Sequence, residues 1–265
     1  MTKKVKLLLA VCFVSFALVL SAGTAKAASI ATGNSTILWG TKRVGGSAEL
    51  GDIHPIGSFS YAGAVNSIPE FDIFNVDFSL RNTFADANVT GALSVAFTNR
   101  YILDAFSLAS LSFPANIDTT SASLAIAGRA MGFHVYEPGG VRFGIRDLLG
   151  GYVGTSMLGE SAGAFALAGI FVYNVDRERL RFDIDFDKAM VSDGDHDGFF
   201  SYNWLRTPRL GFRAGDRGIY GAFVASGAMA TEPVPEPATM ALFGIGLVGL
   251  AGAAARRKFK KEKKS

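Results

Sequence analysis

Arg177-Glu178-Arg179-Leu180-Arg181-Phe182-Asp183-Ile184-Asp185-Phe186-Asp187-Lys188-Ala189 is the stretch that decides the fold class. Leu180, Phe182, Ile184 and Phe186 alternate with Arg179, Arg181, Asp183, Asp185 and Asp187. A period of two gives one apolar and one polar face only on an extended strand. The pattern therefore predicts a half-buried strand, with the four apolar side chains turned to a core and the charged ones to solvent. Glu70–Leu80 alternates in the same way, with an offset between Ile73 and Val76. Val89–Thr98, Ser123–Tyr136, Val141–Ile145, Ala164–Tyr173 and Gly218–Ala228 also read as strands, bounded by Gly, Asn, Asp or Pro. Asn99–Ser112 and Asp147–Leu149 read as short helices. Many strands joined by short turns, with little helix, predict an all-β fold: an antiparallel β-sandwich of jelly-roll or lectin-like type.

Composition supports this class. The chain has 265 residues, 31 of them Gly, and only 18% are charged, too apolar for disorder and too rich in Gly for a helical bundle. Its net charge of +3 is misleading, because the basic residues gather at the ends. Between Ala28 and Pro237 there are 15 basic and 22 acidic side chains, a net of −7. That balance excludes nucleic acid as an expected partner. The single cysteine, Cys12, lies in the apolar N-terminal run, so the mature chain is expected to use no thiol chemistry.

The two ends read as targeting segments. Lys3, Lys4 and Lys6 precede the apolar run Leu7–Leu20, and Ala25-Lys26-Ala27 closes the segment with the small-x-small pattern that signal peptidase accepts. Residues 1–27 are thus read as a secretory signal peptide cleaved after Ala27, leaving 28–230 as one β-sandwich domain. Residues 231–265 form three consecutive parts. Pro233, Pro235 and Pro237 stiffen an extended segment that neither helix nor sheet interior tolerates. Ala238–Ala255 carries no charge and, as a helix at ~1.5 Å per residue, covers the bilayer hydrocarbon core. A basic tail then begins at Arg256, Arg257 and Lys258, which stays cytoplasmic by the positive-inside rule. A plain C-terminal anchor is the alternative reading of the same residues.

Val234-Pro235-Glu236-Pro237-Ala238-Thr239, the apolar helix and the Arg256-Arg257-Lys258 tail resemble a PEP-CTERM sorting signal. The resemblance covers about the last 30 residues and rests on the order of the three parts, their spacing and the Pro-Glu-Pro triplet. It implies transient anchoring in the membrane by the C-terminal helix and processing near Pro235-Glu236-Pro237 by an exosortase-like membrane peptidase. It also implies release to the cell surface or exterior of a Gram-negative bacterium that makes exopolysaccharide.

Candidate chemistry in the middle of the chain is sparse. Asp193-Gly194-Asp195-His196-Asp197-Gly198 places acids at positions 1, 3 and 5 and Gly at 6, like the first half of a calcium loop. Phe199 would offer a carbonyl and Ser201 a direct or water-bridged contact. Trp204 stands where the closing bidentate acid belongs, so Asp187 or Asp216 would have to complete the cage. The same residues read equally as an acidic hairpin turn. Tyr202 and Trp204, on one strand face, could form a platform on which sugars stack. Gly159-Glu160-Ser161-Ala162-Gly163 matches the nucleophile elbow of esterases in letters but not in context, because a strand rather than a helix follows. Asp183, Asp185 and Asp187 suggest a glycosidase carboxylate pair, against the simpler reading of a solvated polar face. No histidines lie at a metal-binding spacing. The expectation is a non-catalytic exported protein that associates with exopolysaccharide. The alternatives are a carbohydrate-active enzyme and a purely structural envelope or biofilm protein.

Overall fold

The computed structural model describes residues 27–66, 73–80, 82–89, 92–112, 120–156 and 159–231. Fourteen strands run in chain order: β1 (Ala27–Ile37), β2 (Arg43–Gly46), β3 (Glu49–Asn66), β4 (Ile73–Ser79), β5 (Thr83–Val89), β6 (Ala92–Thr98) and β7 (Leu103–Ser112). They continue as β8 (Thr120–Glu137), β9 (Gly139–Thr155), β10 (Ser161–Asn174), β11 (Arg179–Ser192), β12 (His196–Arg206), β13 (Leu210–Phe212) and β14 (Arg217–Thr231). One turn of 3-10 helix, Trp39–Thr41, separates β1 from β2. Every strand pairing is antiparallel, and two sheets result. The first follows the order β12-β9-β1-β7-β6-β5, with β2 and β13 also against β9; the second follows β11-β10-β14-β8-β3-β4. The chain is an antiparallel β-sandwich. It passes between sheets on both flanks, from β4 to β5 on one side and from β11 to β12 on the other.

Alternation in the sequence explains most of this architecture. On β10, Ala162, Ala164, Ala166, Ala168, Ile170 and Val172 are buried at every second position. β14 answers with Tyr220, Ala222, Val224, Ser226, Ala228 and Ala230. Such small residues bring the sheets closer than the ~10 Å usual for face-to-face packing. Hydroxyls consequently reach across the interior. Ser35 Oγ donates to the Leu167 carbonyl at 2.6 Å, Ser107 to that of Ser226 at 2.8 Å, Ser94 to that of Gly63 at 3.0 Å and Ser123 to that of Leu108 at 2.9 Å. A Cβ built on Gly33 would lie 2.5 Å from the Phe165 carbonyl oxygen on the opposite sheet, so only glycine permits this approach. At the other end the interior widens around Trp39, Phe133, Phe143, Phe212 and Tyr220.

Three sequence expectations are corrected. Leu103–Ser112 and Asp147–Leu149 are strand, within β7 and β9, rather than short helices. In β7 the buried Leu103, Ala105, Ser107 and Ala109 follow a period of two, which the smallness of Ala and Ser conceals from a hydrophobicity pattern. β11 is a strand, as its alternation requires, but with its faces exchanged. Leu180, Phe182, Ile184 and Phe186 are exposed, while Asp183, Asp185 and Asp187 are half-buried. The strand lies at the sheet edge, where its inner side meets the polar Ser201 and Asn203 of β12 rather than an apolar core.

Candidate functional site

The outer face of the first sheet carries a furrow. Gly144 lies at its centre, with Arg43 of β2 opposite it on one side and Arg206 of β12 on the other. In the next row Gly45 pairs with Arg142, and beyond Gly144 in the other direction Trp204 pairs with Arg146. With Gly46 and Arg209, these residues line a hollow of about 340 Å³. Glycine forms its floor and guanidinium groups its walls. Local sequence explains the placement: Val141, Phe143 and Ile145 turn inward, so Arg142 and Arg146 must turn outward.

Trp204 lies on this surface between cations. The Arg43 guanidinium sits 5.2 Å from its ring centroid and that of Arg146 5.6 Å. Arg146 also donates to the Tyr202 hydroxyl at 2.8 Å. The structure therefore brings Tyr202 and Trp204 together on one face, as read from sequence, and places arginines over both rings. Among the described residues, ion pairs join Arg177 to Asp216 and Arg217 to Asp176, and none neutralises Arg43, Arg142, Arg206 or Arg209.

Behind the furrow, the gap between β11 and the first sheet holds a carboxyl cluster. Asp147 of β9 is closed to solvent, and neither of its carboxyl oxygens receives a hydrogen bond. Asp185 accepts from Ser201 Oγ at 2.9 Å and Asn203 Nδ2 at 2.6 Å, and Asp183 from the Arg206 amide at 2.7 Å. Burial, and then the facing Asp185 and Asp183, push Asp147 up to about 7. Burial would raise Asp185 too, but the bonds from Asn203 and Ser201 hold it below the usual carboxylate range. Burial thus favours the protonated form of Asp147, while its side-chain partners favour the ionised form of Asp185.

The acidic loop is a tight turn that carries the chain from β11 of one sheet to β12 of the other. Asp193 and Gly194 have φ of 60° and 86°, and the Asp195 amide donates to the Ser192 carbonyl at 3.2 Å, the arrangement of a type I′ turn. Asp193 Oδ1 accepts from the Gly159 amide at 2.7 Å, Asp195 Oδ1 from its neighbour His196 at 2.8 Å and Asp197 Oδ1 from Gly198 at 2.7 Å. Phe199 and Ser201 follow on β12, where Ser201 turns to Asp185. Asp216 cannot complete a cage with this loop. It sits at the opposite end of the sandwich, held by Arg177 at 3.2 Å and Asn174 at 3.0 Å. Among the described residues no group of three or more His, Cys, Asp or Glu side chains is arranged to hold a metal ion.

Ser161 opens β10 and shares a hydrogen bond with Thr231, while Glu160 is buried and accepts from the Ser156 amide at 2.7 Å. No strand–turn–helix elbow forms there.

Sequence reasoning missed Arg43, Arg142, Arg206, Arg209 and Asp147. The outward positions of Arg142 and Arg146 were available from the alternation of β9. Their meeting with Arg43 and Arg206 depends on pairings between strands about 100 and 60 residues apart in the chain.

The fold and furrow define a β-sandwich with a cationic outer surface. Residues 233–258 match the PEP-CTERM protein-sorting motif. This C-terminal match marks the chain as an exported protein sorted by an exosortase-type system, held at the membrane by its sorting signal before processing. The residues expected to act in sorting and signal cleavage, Val234 to Lys258, Ala25 and Ala27, include only Ala27 among those described. The apolar run Leu7–Leu20 of the expected signal peptide and the expected membrane helix Ala238–Ala255 also lie outside the described residues, among which no helix is long and apolar enough to cross a membrane. No curated protein matches the sequence. Two solved structures align over most of the chain at very low similarity. One is the CBM22-1-CBM22-2 tandem domain of Paenibacillus barcinonensis Xyn10C, with 8% identity, 77% of this chain and 78% of that one covered, and a TM-score of 0.10. The other is vicilin from Solanum lycopersicum (tomato), with 8% identity, 79% and 76% covered, and a TM-score of 0.11.

Proposed function

We propose that the mature protein is a surface or extracellular matrix component that associates with exopolysaccharide without transforming it. The observation that carries this reading is the exosortase-type sorting signal at residues 233–258, which follows β14 directly. β14 has 15 residues and at ~3.3 Å per residue spans roughly 45 Å. It runs from the wide aromatic end of the sandwich to the narrow one, where it leads into the sorting signal. Ala27, the start of β1, is at that same narrow end. The furrow is at the wide end, so a chain tethered through its C-terminus holds the furrow outward, away from the membrane.

One observation favours an enzymatic second reading: the split protonation of Asp147 and Asp185 resembles an acid–base pair. Two features support binding over catalysis. The proton-holding carboxyl is closed to solvent, and Asp185 is already engaged by Ser201 at 2.9 Å and Asn203 at 2.6 Å, so neither group is free to meet a glycosidic bond and a water as a glycosidase pair must.

Co-sedimentation of the full chain with exopolysaccharide from the producing organism, alongside an assay for released reducing ends, separates the readings. Binding without release is expected. Release that disappears in Asp147→Asn would establish the enzyme instead, and absence of both signals would leave a structural envelope role.

A further inference from the structure

We infer that the furrow on β2, β9, β12 and the segment between β12 and β13 is a binding site for an anionic polysaccharide, one whose repeating units carry carboxylates. The inference rests on the exopolysaccharide reading above and adds the ligand's charge and the place where it binds.

Charge is the first ground. The sequence between residues 28 and 237 is acidic, at net −7, yet Arg43, Arg142, Arg206 and Arg209 converge on one hollow. Four like charges repel one another, and a fold that needed only solubility would scatter them. No carboxylate among the described residues forms an ion pair with any of the four. Their fork-shaped donors remain available for a ligand and match the two oxygens of a carboxylate.

Shape is the second ground. Arg43 and Arg206 flank Gly144 on the two neighbouring strands, which places their backbones about 9–10 Å apart. With Arg142 and Arg209 in the same lining, a chain with carboxylates at intervals can engage several of the four guanidiniums at once. Gly45, Gly46 and Gly144 leave the floor without side chains, so a polymer can lie close to the sheet. Trp204, in the same lining, has the Arg43 guanidinium over its ring at 5.2 Å and so helps to position that charge at the edge of the hollow.

The test uses the full chain purified in detergent and immobilised for interferometry. Polygalacturonate, neutral dextran and duplex DNA are the probes, each at low and at physiological salt. The variants are Arg43→Ala/Arg206→Ala in the furrow and Arg179→Ala/Arg181→Ala on exposed β11. Circular dichroism and thermal melting confirm that each is folded. The expected result is salt-sensitive binding of polygalacturonate and little of dextran. The furrow variant should weaken it at least tenfold and the β11 variant less than twofold. Equal binding by both variants, preference for dextran, or tighter binding of DNA would each overturn the inference. If the furrow variant still co-sediments fully with the native exopolysaccharide, the site is wrong while matrix association stands. If the unaltered chain fails to co-sediment, the broader reading falls as well.

Discussion

At one end of the sandwich Trp39 stacks on Tyr220 at 6.2 Å, with Phe143 packed on both and Phe133 bridging Tyr220 to Phe212. At the other end the same two sheets are separated by Ala31, Ala109, Ala162, Ala164, Ala228 and Ala230. The wide end is held by burial of large rings, and its stability follows the apolar area removed from water. The narrow end buries little per residue and relies on close backbone approach and on hydroxyls that cross between sheets. The difference matters for function, because the furrow lies on the outside of the wide end, above Phe143 and Ile145. A rigid aromatic interior fixes the backbone of β9 and with it the spacing of the arginines. The narrow end carries Ala27 and Thr231, the described residues next to the two terminal segments.

Trp39→Ala should break the comparison most severely. The side chain is 1% exposed and touches both rings of the cluster, so its loss should cost about 3–5 kcal/mol, a large share of a domain's stability. Denaturant unfolding of the purified chain measures this. A loss under about 1 kcal/mol would show that the rings do not hold the wide end together.

Gly33→Ala probes the narrow end from the opposite direction, by adding volume. The new Cβ would meet the Phe165 carbonyl oxygen at 2.5 Å and that of Gly227 at 2.9 Å. Both obstacles are backbone in a hydrogen-bonded ladder, so the sheets must part, at about 1–3 kcal/mol. Gly211→Ala, whose Cβ would meet nothing within 4 Å, serves as the control and should shift stability by no more than about 0.5 kcal/mol. Similar effects at the two positions would mean that the sheets are not in close contact at Gly33.

These two ends also mark how far the sequence could be read. Alternation at Leu180–Phe186 and along β8, β10 and β14 was enough for an antiparallel sandwich. The narrow core was hidden because Ala, Ser and Gly carry little hydrophobic signal, which is why Asn99–Ser112 read as helix. The face of β11 could not be deduced, since a period of two separates two faces without saying which one meets the core. The partner strand decides that, and β12 presents Ser201 and Asn203. The furrow was illegible for a related reason. Tyr202 and Trp204 stood out as neighbours on one strand, but the arginines come from four segments that only the sheet order unites.

A smaller effect is expected from pH. Asp147 is pushed up to about 7 and Asp104, by burial opposed by the Thr36 hydroxyl, to about 6. Unfolded, both carboxyls ionise near 4, so between about pH 4 and pH 7 the folded state holds protons that the unfolded state has released. Stability should therefore fall as pH rises through that window. Asp185 works in the opposite sense, since its carboxylate is held below the usual range and its contribution is lost only as pH falls below about 4. Asp147→Asn should flatten the decline between pH 5 and 7, leaving the lesser slope due to Asp104. An unchanged slope in denaturant titrations at successive pH values would show that Asp147 is ionised in the folded protein.

The smallest effect, and the sharpest test of the narrow end, is the removal of one crossing hydroxyl. Ser107 Oγ donates to the Ser226 carbonyl at 2.8 Å and lies 3.1 Å from the Ser226 hydroxyl. Ser107→Ala removes the donor but leaves the carbonyl in its ladder bond to β8 or β10, so the expected cost is about 1 kcal/mol. Ser226→Ala should cost less, because the Ser107-to-carbonyl bond survives. If the hydroxyls act together, the double variant will cost less than the sum of the two single ones, the signature of a shared interaction. Strict additivity would mean that each serine matters only as a small residue. The narrow end would then be held by close packing alone, with its polar crossings incidental.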